Sequence, residues 1–118
     1  MEPLALNNVV TGKVTGTGAA INVQLGFQPR YVKVFNPNDA GGLYPTIEYF
    51  DGMPAASGFK TKVVADNGTT GNKSSDYVTV NGISMYAGTA AGNSEGFTIG
   101  ADADINANGE DVYYIAAR

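Results

Sequence analysis

The stretch that decides the fold reads Gly96-Phe97-Thr98-Ile99-Gly100, then Ala101-Asp102-Ala103-Asp104-Ile105-Asn106-Ala107-Asn108-Gly109-Glu110, then Asp111-Val112-Tyr113-Tyr114-Ile115-Ala116-Ala117-Arg118. A short apolar run enters a polar segment rich in Asn, Asp and Gly, and a longer aromatic run leaves it. Short β-favouring runs bounded by such residues are strands, and the Asn, Asp and Gly residues carry the turn. The spacing predicts a closing hairpin, with residues 112–116 as a central or closing strand, so that truncating 111–118 abolishes folding.

The same grammar runs through the chain. Its 16 glycines and 5 prolines fall between short apolar runs, and helical periodicity is almost absent. Strands are predicted at 9–15, 19–27, 31–36, 45–50, 59–65, 77–80 and 83–86. In the second, Ile21, Val23, Leu25 and Phe27 alternate with Asn22, Gln24 and Gly26, the period of a half-buried strand. In the third, Val32 and Val34 are the inward pair, because the other face carries Lys33. In 59–65, Lys60 and Lys62 share a face, read as the wet one. Asn81-Gly82 predicts a tight hairpin turn. Loops are expected at 36–42, 51–58 and 66–75, and a single helical turn within 87–95. About eight antiparallel strands predict an all-β fold, a β-sandwich of jelly-roll or Greek-key type. One domain is expected at 9–118, preceded by an N-terminal arm at 1–8.

Composition narrows the chemistry. With no Cys and no His, there is nothing to build disulfides, Cys/His zinc sites or Ser-His-Asp triads from. The 7 basic residues are scattered among 11 acidic ones, so nucleic acid is not an expected partner. Charged residues make up only 15% of the chain, below the ~25% typical of soluble domains, which suits a surface that touches other protein. No run approaches the ~20 apolar residues of a membrane helix, and membrane association is not expected. The first residues show no basic segment followed by an apolar one, so no signal peptide is expected.

Asp104-Ile105-Asn106-Ala107-Asn108-Gly109 fits the first half of a calcium loop, in which oxygen ligands at alternate positions converge on a hard cation. The position that should hold the closing Glu is Ile115, within a predicted strand. Asp102, Asp104, Asn106 and Asn108 are therefore weak metal candidates. The reading is a plain turn, with no cofactor. Glu48, Asp51, Asp39, Asp66 and Asp76 could in principle act as an acid–base pair, but no spacing selects two of them, and no enzymatic activity is expected. The chain holds seven Tyr and five Phe. Neighbours in a strand face opposite ways, so one of Tyr49-Phe50 and one of Tyr113-Tyr114 should point outward, where aromatics anchor protein contacts.

Leu25-Gly26-Phe27-Gln28-Pro29-Arg30-Tyr31-Val32-Lys33-Val34 is similar to a G-F-x-P-[KR]-x-V-x-V pattern of small virion proteins of tailed bacteriophages. Gly96-Phe97-Thr98-Ile99-Gly100, with Asn106, Gly109 and Tyr113-Tyr114-Ile115-Ala116, resembles their terminal pattern, and Tyr49-Phe50-Asp51-Gly52-Met53 an intervening loop. Similar segments occur in head-decoration (cement) proteins and in tail or fibre proteins, and the compact length suits a decoration protein. That resemblance implies a structural protein, commonly a homotrimer, made in the host cytoplasm. Such a protein binds the major capsid protein outside the phage head and stabilises its junctions. Contacts would be expected from Leu4 and Leu6 of the arm, Asn38, Asp39 and Tyr44 of one loop, and Met53 of another. The alternative is a phage tail or fibre receptor-binding module that grips carbohydrate.

Overall fold

The computed structural model describes residues 8–37, 44–64, 72–89 and 94–118. Leu4, Leu6, Asn38, Asp39 and Asp66 lie outside them. Eight strands are present among the described residues, with no helix: β1 (Val9–Thr15), β2 (Ile21–Gln24), β3 (Tyr31–Phe35), β4 (Thr46–Phe50), β5 (Ser57–Val64), β6 (Asn72–Tyr86), β7 (Gly96–Ile99) and β8 (Asp111–Ala117). Residues 87–89 hold no helical turn, and 90–93 lie outside the described residues.

All eight strands join one curled sheet in the order β1-β8-β3-β4-β5-β6-β7-β2. Every neighbouring pair is antiparallel. The expected closing hairpin does not form. β7 lies between β6 and β2, whereas β8 lies between β1 and β3. The two strands meet face to face across the interior, with the Phe97 and Tyr114 rings edge-on at 5.3 Å between centroids. Residues 100–110 are therefore a crossing, not a hairpin turn.

The Asn81-Gly82 turn is also absent. Residues 72–86 form one strand, and only Asn81 of the two takes positive φ, at 60°. The register jumps there, since Ser57 pairs with Ile83 while Gly58 pairs with Val78. The extra residues let β6 leave β5 and join β7, which is the bend a β-bulge supplies. Tertiary hydrogen bonds displaced the hairpin. The Gly82 N–H donates to Ala56 O, and Gly82 O accepts from Gly100 N. A Cβ on Gly82 would run into the Ser57 carbonyl, so the close approach needs glycine there.

The concave face carries the core. Val32, Val34, Ile47, Ile83, Phe97, Ile99 and Val112 are all fully or almost fully buried, joined by Ile105 from the crossing. Burial of each such side chain stabilises the fold by about 1.5–3 kcal/mol. The Val32/Val34 assignment holds, as does inward placement of Val23 and Phe27. The 59–65 assignment inverts: Phe59 is exposed, whereas the Lys60 side chain is only 13% exposed. The acidic residues of the crossing draw Lys60 inward.

Phe97→Ala should lower unfolding stability by about 3–5 kcal/mol. Deleting residues 111–118 removes an internal strand and should leave no cooperative urea transition. Circular dichroism and urea titration check both.

Candidate functional site: the acidic crossing and the outer sheet face

The Asp/Asn crossing is held by protein groups. Asp102 Oδ1 accepts from the N–H groups of Asp104 and Ile105, at 2.9 and 3.1 Å. This is a local Asx-type arrangement. The Lys60 ammonium then bonds both Asp102 oxygens, at 3.0 and 2.8 Å, and Asp104 Oδ2 at 2.7 Å. Lys62 reaches the same Asp104 oxygen at 3.2 Å.

Asn106 is fully buried and fully engaged. Its Oδ1 accepts from Thr17 N and Gly18 N, and its Nδ2 donates to Ala19 O and Gly100 O. Two donors and two acceptor sites are all an amide side chain has. Asn36, also fully buried, donates to Asp104 O, Ile105 O and Glu110 Oε1. These bonds tie the crossing to β5, to the end of β3 and to the β1–β2 connection.

The four metal candidates consequently do different jobs. Asp102 and Asp104 face ammonium groups, Asn106 is spent on backbone, and Asn108 is exposed. Among the described residues no three acidic side chains stand together as a cation site. The hydrogen bond from Lys60 holds the Asp104 carboxyl below its ordinary range, against burial, which acts the other way, and with help from Lys62. Burial works to lower the pKa of the Lys60 ammonium, but the hydrogen bonds it donates to Asp102 and Asp104 outweigh it, and its pKa is raised.

The convex face is different. It is spread over six neighbouring strands, β1-β8-β3-β4-β5-β6. Cross-strand register puts Ile115, Lys33, Glu48, Phe59 and Tyr77 in one row. Tyr31 and Phe50 pair in the next, with ring centroids 5.4 Å apart. Phe50, Phe59, Tyr77 and Tyr113 are 40–55% exposed, a large apolar area to leave in water. The outward member of each adjacent aromatic pair is thus Phe50 and Tyr113. The Tyr31 hydroxyl donates to Glu48 Oε2 at 2.6 Å; burial first, then that bond and the Glu48 charge, push its pKa up to about 12.

Beside the aromatic row lies a cleft of about 340 Å³. Thr46 and Thr61, opposite each other in register, line it together with Lys33, Lys62, Lys73 and Glu48. Tyr44 also lines the cleft, half exposed and held at φ 44°. Of the expected contact residues, Tyr44 is available on the surface. Met53 is half-buried against the core: its sulfur accepts from Phe50 N and its carbonyl accepts from the Tyr49 hydroxyl. Of the carboxylates weighed as an acid–base pair, Glu48 is on this face, and Asp51 and Asp76 are exposed.

Sequence reasoning missed Lys60 and the Phe59–Tyr77 pair. Strand parity puts Phe59 and Lys60 on opposite faces but does not say which face is inward, and the acidic partners that decide it lie more than 40 residues away. Comparison of the chain with family models, curated proteins and solved structures found no match.

Lys60→Met leaves two carboxylates without their shared cation and should cost about 3–5 kcal/mol in urea unfolding. The depressed Asp104 pKa contributes stability that is present above the unfolded value of ~3.9 and lost as pH falls through the folded one. The raised Lys60 pKa contributes stability present below ~10.4 and lost as pH rises through the folded value. The urea midpoint should accordingly fall at both pH extremes in the native protein. In Lys60→Met the acid fall should be smaller.

Proposed function

We propose that this protein is a structural virion protein, a capsid decoration (cement) protein that binds the outside of a tailed-phage head. The observation that carries the reading is the convex sheet face, six strands wide and set with exposed aromatic side chains. A face of this kind suits a broad protein contact. The resemblance of segments 25–34 and 96–116 to decoration proteins supports it. In this reading the two ends of the curled sheet act as the leaves of a β-sandwich, with β7 over β8. The chain has no enzymatic role. It assembles as a homotrimer, is made in the host cytoplasm and ends on the capsid surface, where its partner is the major capsid protein.

The alternative, a carbohydrate-binding tail or fibre module, draws on the hydroxyl-lined cleft beside Tyr44. The two readings separate by location on the particle.

Purified protein incubated with undecorated heads of its own phage should co-sediment at a fixed copy number. Phe59→Ser and Tyr77→Ser should each weaken that binding about tenfold or more while leaving the fold intact, because both side chains are surface-exposed. Binding to tails alone, or saturable glycan binding without head binding, would establish the alternative.

A further inference from the structure

The cleft and the aromatic row form one composite surface. Lys33 and Lys73 line the cleft, and neither forms an ion pair among the described residues. Lys62 lines it too, but its ammonium is already shared with Asp104. Lys62 turns its charge to the concave face, so two of the chain's 7 basic residues, Lys33 and Lys73, meet at this cleft without an ion pair among the described residues, on a protein of net charge −4. Such a local reversal of sign favours an anionic group there.

Phe59 sits next to the cleft on the same face. It precedes Thr61 by two residues on β5 and lies opposite Tyr77. Two residues along a strand span about 6.8 Å, and an extended peptide repeats its same-side chains at that distance. An acidic side chain in the cleft and an apolar one two positions along would therefore meet both halves at once.

We infer that this surface receives an extended acidic segment of a partner protein. Its carboxylate sits between Lys33 and Lys73, and an apolar or aromatic side chain two residues away rests on Phe59 and Tyr77. The inference rests on the convex face being the contact surface proposed above; it does not depend on the partner being a capsid protein. A second copy of the chain is a poor occupant, because this face packed on itself brings its lysines toward one another. A nucleic acid is disfavoured because its row of phosphates would meet only two lysines here, on a protein whose other basic residues are scattered, whereas a single carboxylate is matched by that pair.

Selection from a random twelve-residue peptide library against the immobilised full chain tests this. The expected result is enrichment of Asp or Glu two positions from an aromatic or large aliphatic residue. The selected peptides should lose at least tenfold in affinity against Lys33→Glu and Lys73→Glu, and also against Phe59→Ser, with circular dichroism unchanged. Peptides without acidic bias, peptides indifferent to these variants, or no enrichment would overturn it. So would tighter binding of trigalacturonate than of any selected peptide, or self-association of the chain that Lys73→Glu abolishes. Failure to bind heads alongside success here would remove the capsid reading and leave the acidic-segment site standing.

Discussion

A single ammonium group, that of Lys60, fixes the long crossing between β7 and β8. It binds both oxygens of Asp102 and one of Asp104, at 2.7–3.0 Å, in a setting where its side chain is 13% exposed. An ion pair this sheltered is not strong evidence of net stability, because desolvating the charges offsets much of their attraction. What it supplies is position. With Asp102 anchored on β5, the crossing places Ile105 in the core and Asn106 over the β1–β2 connection. The crossing in turn delivers the chain to β8, between β1 and β3. Without this anchor the turn-rich composition of residues 100–110 would favour the adjacent hairpin that the sequence pattern suggests.

The two faces of the sheet follow from that arrangement. The concave face is closed by the crossing and filled with Val, Ile and Phe side chains. Among the described residues no layer lies over the convex face, and its aromatics are exposed. Burying the two lysines of β5 inward leaves Phe59 no other direction than outward. The candidate contact surface is thus a consequence of the same charge cluster that organises the crossing.

Strand positions were largely legible, because period-2 alternation and glycine turns are local signals. β1 and β3 fall where alternation places them, and Val32 and Val34 are buried as expected. Pairing was not legible. The β7-to-β8 segment has hairpin composition, and only long-range bonds from Asn36, Lys60 and Asn106 make it a crossing. Asn81-Gly82 likewise carries hairpin chemistry, but the chain uses it to shift β6 from one partner to another. Parity holds in β5, but residue type points the lysines to water, whereas the partners that turn them inward lie more than 40 residues away. The resemblance motifs fall on buried or turn positions such as Gly26, Phe27 and Val32, where strand and turn packing alone accounts for the residue type.

The most direct test of this account is a double-mutant cycle between Lys60 and Asp102, using Lys60→Met and Asp102→Asn with unfolding free energies from urea. A buried, hydrogen-bonded pair that positions the crossing predicts strong coupling, roughly 1.5 kcal/mol or more, with the double variant less damaged than the sum of the singles. Additivity within about 0.5 kcal/mol would show that the two side chains do not act as a unit and would contradict the organising role given to Lys60.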